Sequence, residues 1–240
     1  MPNMDIKIIY EDSDILVVDK PAGIIVFPEG VTPAGATVKT LIDYLIEKYP
    51  TLKNVGEAPR YGIAHRLDKD TSGLLLVAKT TEALIFLQKK FKNREIEKKY
   101  TALVTGTIKD DFGTIHTLIG RSKSDPRKQT AHSLEYTGKT GLREAISEYK
   151  VLQKFAEYTL LEIEIKTGRK HQIRCHMAYL KHPIAGDKLY GFKDSPTPEG
   201  LERQFLHAGH LKTELPSGQI KEFHSDLPED LKTLISKMPV

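Results

Sequence analysis

The chain has 240 residues, of which 39% are apolar and 28% charged, with a formal net charge of +4. Such a composition excludes fibrous, low-complexity and disordered classes, and the length suits one large domain or two small lobes around a sizeable core. A single cysteine, Cys175, excludes an internal disulfide and a CxxC zinc pattern; no stretch nears the roughly 18 apolar residues of a membrane span, and the start Met1-Pro2-Asn3-Met4-Asp5-Ile6 has no basic, apolar leader pattern.

The expectation is therefore a cytoplasmic protein whose positive balance permits a polyanionic partner. In chain order, Ile6–Tyr10 and Ile15–Val18 read as short strands joined by the turn-forming Glu11-Asp12-Ser13-Asp14. Asp19-Lys20-Pro21-Ala22-Gly23 ends the second strand. From Ala36 the apolar spacing of Val38, Leu41, Ile42, Leu45 and Ile46 predicts a helix that stops before Pro50. A turn-rich segment from Val55 to Tyr61 then leads into His65-Arg66-Leu67-Asp68-Lys69-Asp70-Thr71-Ser72-Gly73. This charged stretch stands directly before the apolar run Leu74-Leu75-Leu76-Val77, which reads as a buried strand. A charged loop clamped at the edge of a core is where chemistry is most often carried.

After that strand, Thr80 or Thr81 can cap a second helix with Leu84, Leu87 and Phe91 along one face. Its basic end, Lys89 to Arg94, suits the helix macrodipole and equally suits phosphate contacts. Lys98–Val104 reads as a strand carrying Tyr100. Residues 106–143 are polar, with a basic patch at Arg121, Lys123, Arg127 and Lys128, and predict a mobile hairpin or pair of loops. Such a segment is a solvated loop or a flap that follows a nucleic-acid backbone. Glu144–Leu152 returns as a strand, and Tyr158–Lys166 alternates apolar and charged residues as a half-buried antiparallel strand does. Ile173, Met177 and Leu180 then predict a helix from near Arg169, with Arg169, Gln172 and His176 on one face. His171 and His176 are spaced wrongly for a helical metal pair. Ile184–Gly191 reads as a turn, Leu206-His207-Ala208 as a strand, and Leu227–Met238 as a closing amphipathic helix.

Asp68 and Asp70 invite several chemistries. Asp68-Lys69-Asp70-Thr71 matches the DxDxT of the haloacid-dehalogenase phosphatases, whose first aspartate attacks phosphorus beside an oxygen-ligated Mg²⁺. That motif should follow an apolar strand, whereas His65 and Arg66 precede it here. Gly186-Asp187 could imitate a second acidic site, but Gly191 stands where the next acid belongs. A glycosidase pair is disfavoured by the absence of tryptophan platforms.

His65-Arg66-Leu67-Asp68-Lys69-Asp70-Thr71-Ser72-Gly73 resembles the HRLDxxTSG signature of the RluA family of RNA pseudouridine synthases. Further blocks agree in order. They are the opening Tyr10–Gly23, the K-x-Y-x-A-x-V-x-G of Lys98, Tyr100, Ala102, Val104 and Gly106, the TGRxHQIRxH of residues 167–176, and the segments Ile184–Gly191 and Leu206–Ala208. The resemblance implies an α+β pseudouridine synthase fold: a bent, mixed but mostly antiparallel sheet flanked by helices, with two lobes around an RNA cleft. It implies one catalytic domain over residues 1–240, with no room before the first strand for the extra RNA-binding domain some members carry.

The implied reaction breaks the N1–C1′ bond of a flipped-out uridine, rotates the uracil and joins C5 to C1′. Asp68 is then the nucleophile, Arg174 its ion-pair partner, and Tyr100 the ring that packs on the uracil with its hydroxyl near C5. His65, Arg66, Arg169, His171 and Gln172 are the implied RNA contacts, with Arg66 placed to fill the space the base vacates. The isomerisation involves no net oxidation, so neither a metal nor a redox cofactor is expected. The expected partner is ribosomal or transfer RNA, bound by a monomer. A catalytically silent RNA binder on the same fold is disfavoured by the presence of Asp68, Tyr100 and Arg174 together.

Overall fold

The computed structural model describes residues 6–28, 38–138 and 140–239. Among them the strands are β1 (Lys7–Glu11), β2 (Ile15–Lys20), β3 (Ser72–Ala78), β4 (Glu97–Thr105), β5 (Phe112–Arg121), β6 (Gln129–His132), β7 (Arg143–Lys154), β8 (Tyr158–Ile165), β9 (Leu206–Glu214) and β10 (Ile220–His224). The helices are α1 (Leu41–Lys48), α2 (Thr81–Lys92), α3 (Gln172–Tyr179) and α4 (Glu229–Ser236). This is the α+β class expected. No helix among the described residues is long and apolar enough to cross a membrane. The chain divides into two compact units, Met1–Ile96 with His210–Ser225 and Glu97–Gly209 with Asp226–Val240.

In the first unit, β2 pairs antiparallel with both β1 and β3, and β10 pairs antiparallel with β9. Every residue of β3 is buried, which is why its sequence runs apolar without alternation. Ile15, Val17, Leu74, Leu76, Leu84, Leu87, Leu211 and Phe223 close one core around this sheet and α2. The β1–β2 turn is held by Asp12, whose Oδ1 accepts from the backbone N–H groups of Asp14 and Ile15, both at 2.8 Å. Thr80 caps α2 by accepting from Ala83 N at 3.1 Å, as expected from its position.

Helix α1 starts at Leu41 and not near Ala36, a residue outside those described. Thr40 and Asp43 form a reciprocal capping box that satisfies the first turn. Val38, counted in the apolar face from sequence, is accordingly 62% exposed.

The second unit builds an antiparallel sheet in the order β4-β8-β7-β5-β6. Leu231 and Leu234 of α4 join Leu103, Phe155, Leu160 and Phe205 in its core. Of the hairpin or pair of loops expected over 106–143, β5 and β6 form the hairpin, but the segment is not too polar for the core. Residues 112–121 form a ten-residue strand, with Ile115, Thr117 and Ile119 buried and Thr114 and His116 exposed. The inward row contains a threonine, so the apolar alternation that marks a half-buried strand was too weak to read. Within the basic patch, Arg121 ends β5, Lys123 and Arg127 are exposed in the β5–β6 connection, and Arg127 forms an ion pair with Asp125 at 2.8 Å.

Candidate active site

In the first unit the charged loop is tied to β3 at its start. Ala78 N donates to Gly62 O at 2.8 Å, and a Cβ on Gly62 would lie 2.1 Å from Ala78 O, so only glycine lets the loop run this close to the strand. His65 comes next, and its Nε2 accepts from Leu76 N at 2.8 Å while its ring packs on Phe91 at 4.6 Å. That bond requires an unprotonated Nε2. The imidazole therefore braces the edge of β3. Arg66, half-buried, lies 5.2 Å from the ring of Phe27. Burial pushes its guanidinium pKa down, partly offset by the negative charge of Asp68.

Asp68 and Asp70 are half-buried, and the turn between them closes with Thr71 N donating to Asp68 O at 3.2 Å. The tip of that turn is anchored from β2. Lys20 is fully buried and its Nζ donates to the carbonyls of Pro21 at 2.8 Å, Ile24 at 2.9 Å and Lys69 at 3.0 Å. Gly23 N adds a bond to Lys69 O at 2.9 Å. An ammonium buried among carbonyls is expensive to desolvate unless its donors are used, and here they pin the backbone between the two aspartates. The sequence gives Lys20 no anchoring role: Asp19-Lys20-Pro21 reads there as a strand end within the opening block Tyr10–Gly23. Beyond the turn, Gly73, the second residue of β3, has φ 116°, a backbone conformation that side chains rarely adopt.

In the second unit, Tyr100 sits on β4 opposite Ile163 of β8 and is 8% exposed. Lys98 lies two residues earlier on the same face, and burial pushes its pKa down to about 8. The TGRxHQIRxH segment does not begin as a helix near Arg169. Helix α3 starts at Gln172 because His171 takes a left-handed φ of 55°. The buried Gln172 amide is engaged on both ends. Its Oε1 accepts from Thr167 Oγ1 at 2.7 Å and Arg169 N at 3.0 Å, and its Nε2 donates to Ile146 O at 2.9 Å and Ser147 Oγ at 3.0 Å. Arg169 reaches back through Nε to Glu144 O at 2.9 Å, and His171 Nδ1 lies 3.1 Å from the Tyr190 hydroxyl. The shared face expected for Arg169, Gln172 and His176 thus dissolves, since Arg169 precedes the helix.

Arg174 is held by a residue the sequence did not assign to it. Its Nε donates to Asp187 Oδ2 at 2.7 Å and its Nη2 to Asp187 Oδ1 at 2.8 Å, with the guanidinium 5.1 Å from the centre of the Tyr190 ring. Oδ1 also accepts from the backbone N–H groups of Leu189 at 2.9 Å and Tyr190 at 3.0 Å. Burial alone raises the Asp187 pKa, but the bonds and charge of Arg174 and the two backbone donors outweigh it and hold the carboxyl below its ordinary value. Arg174 is therefore fixed in direction by a planar, two-bond grip from an ionised partner. Behind it, His176 is buried, with Nε2 2.9 Å from Thr117 Oγ1 and Nδ1 2.9 Å from Ser147 Oγ. Burial, and to a lesser extent His116, pushes its pKa down to about 4, so the ring is neutral.

Both motif segments are thus braced by internal hydrogen bonds and carry a carboxylate and a guanidinium of the types the signature requires, while β4 carries the phenol of Tyr100. A family model described as RNA pseudouridylate synthase matches residues 14–179. The chain belongs to that family. An uncharacterized RNA pseudouridine synthase, YlyB, of Bacillus subtilis (strain 168) is 42% identical over 236 residues, covering 98% of this chain and 73% of the relative. Ribosomal large subunit pseudouridine synthase D of Haemophilus ducreyi (strain 35000HP / ATCC 700724) is 37% identical over 248 residues, covering 98% and 71%. Among solved structures, human RNA pseudouridylate synthase domain containing 1 superposes with a TM-score of 0.79 at 26% identity, covering 100% of this chain and 90% of its own. These similarities place the protein in the RluA group, and its activity is that of an isomerase that converts uridine in RNA to pseudouridine.

Proposed function

We propose that this pseudouridine synthase modifies one or a few uridines of ribosomal or transfer RNA, as a monomer, with Asp68 as nucleophile. The observation that carries the reading is the anchoring of the Asp68 turn by the buried Lys20 and Gly23, within a complete HRLDxxTSG motif. A nucleophile must be aimed, and a loop tied at both ends and at its tip is a rigid mount. The name of the Haemophilus relative favours ribosomal RNA as the first pool to test.

The chemistry assigns the other roles. The target base has to leave its stack, at a cost of a few kcal/mol, and Arg66 can occupy the vacated space. In this reading Asp68 is the nucleophile, and Arg174, itself gripped by Asp187, supplies the positive charge that aims it. Tyr100 stacks on the uracil, and its hydroxyl stands near C5, whose proton leaves after C5 joins C1′. Arg66, Arg169 and His171 are the RNA contacts of this proposal. His65 and Gln172 are bracing residues, since each is tied to backbone of its own unit.

The test is pseudouridine mapping on ribosomal and transfer RNA that lack the modification, after incubation with wild-type and Asp68→Ala protein. New pseudouridines made by the wild type and missing with the variant support the proposal. Full turnover by Asp68→Ala would sink the nucleophile assignment, and modification of neither pool would sink the substrate assignment.

A further inference from the structure

The hairpin of β9 and β10 carries a cluster that the isomerase chemistry does not use. Its register sets His224 opposite His210 and Glu222 opposite Lys212. Alternate residues of a strand share a face, so these four project together while Leu211 and Phe223 turn into the core. His210 Nε2 and Glu222 Oε1 are 2.8 Å apart, His224 Nε2 and Glu222 Oε1 are 3.3 Å apart, and the two imidazole centroids are separated by 5.1 Å. One ligand atom from each of the three side chains lies within 4.8 Å of the others. A single ion at about 2.0–2.2 Å from each donor holds them no more than about 4.4 Å apart, so a small rotation of the exposed Glu222 or His224 side chain closes the cluster on it. The His210 side chain is only 12% exposed and so is fixed by packing, while Glu222 and His224, at 46% and 67%, are open to an entering ion.

We propose that His210, Glu222 and His224 form a binding site for a zinc ion, completed by water, that clips β10 to β9. The donor set decides the class of metal. Two imidazoles with one carboxylate suit Zn²⁺ and its borderline neighbours, whereas Mg²⁺ and Ca²⁺ take oxygen ligands. Lys212, facing Glu222, opposes a bound cation and limits the affinity. No local spacing announces this site in the sequence, because the ligands come from two strands and meet only through the hairpin register.

The probe is Zn²⁺ itself, titrated calorimetrically into chelator-stripped full-length protein, with Mg²⁺ as the comparison ion. The expected result is one saturable equivalent for Zn²⁺ and no heat for Mg²⁺. His224→Ala and Glu222→Gln, both on the exposed face, should each lose that phase while keeping the wild-type circular dichroism spectrum. His116→Ala should keep it, although His116 and Glu144 form another exposed pair at 3.0 Å. Thermal melts give a second measure: Zn²⁺ should raise the wild-type midpoint and leave that of His224→Ala unmoved. A wild type without a saturable phase overturns the proposal, as does a phase that survives in His224→Ala and Glu222→Gln or disappears in His116→Ala.

Discussion

Replacing Asp187 by asparagine tests whether an ionised carboxylate is what holds Arg174 in place. The shape is kept, and the amide oxygen can still take the backbone donors of Leu189 and Tyr190 at the Oδ1 position. The amide nitrogen then stands where Oδ2 now accepts from Arg174 Nε at 2.7 Å, donor against donor. Arg174 and Asp187 are 8% and 5% exposed, so the guanidinium is left buried without its partner carboxylate. Breaking one side of a buried pair costs about 3–5 kcal/mol, and Asp187→Asn should fall at the lower end because the two backbone hydrogen bonds survive. Urea denaturation of wild type, Asp187→Asn, Arg174→Met and the double variant measures this as a cycle. The double variant should be more stable than Asp187→Asn, because removing the guanidinium removes the donor-against-donor contact with the new amide. On the proposed reading turnover should stay lost in the double variant, which lacks Arg174 whatever its stability. A stability for Asp187→Asn within about 0.5 kcal/mol of wild type would refute the reasoning, as that is the scale of an ordinary surface substitution.

Three further outcomes follow from the same structure. Asp68→Ala should abolish pseudouridine formation in mapping assays while RNA binding, measured by filter retention, persists. Lys20→Met should destabilise the protein by about 2–3 kcal/mol in urea titration, since it strips the carbonyls of Pro21, Ile24 and Lys69 of a buried charged donor. The same variant should turn over more slowly even where it remains folded, and wild-type stability would show that the ammonium anchors nothing. His176 gives a pH dependence: its folded pKa is about 4 against 6.5 in the unfolded chain, so only the unfolded state gains that proton as pH falls between them. Its contribution is complete above pH 6.5 and is lost towards pH 4, by up to about 3 kcal/mol. Denaturation midpoints at several pH values should show this slope in wild type and a shallower one in His176→Asn.

The parts of the site legible in the sequence are those in which neighbouring residues do the work. His65 to Gly73 is one continuous loop, so its loop-then-buried-strand pattern and its motif could be read together. What escaped reading was set by partners far along the chain. Lys20 meets Lys69 across 49 positions, and Arg174 meets Asp187 across 13, so neither pairing has a local spacing to betray it. Helix α3 begins late for the same reason. The spacing of Ile173, Met177 and Leu180 fits a helix from Arg169, but His171 adopts its left-handed turn while the Gln172 amide bonds Thr167, Ile146 and Ser147. Strand β5 was hidden because one of its inward residues, Thr117, is polar, and that polarity makes sense only beside His176, which bonds it at 2.9 Å. Buried polar groups of this kind must find partners, and the partners are chosen by the tertiary fold. The residues that hold a catalytic motif in place are consequently harder to find than the motif itself. Lys20 and Asp187 are therefore the positions at which substitution tells most about how Asp68 and Arg174 are mounted.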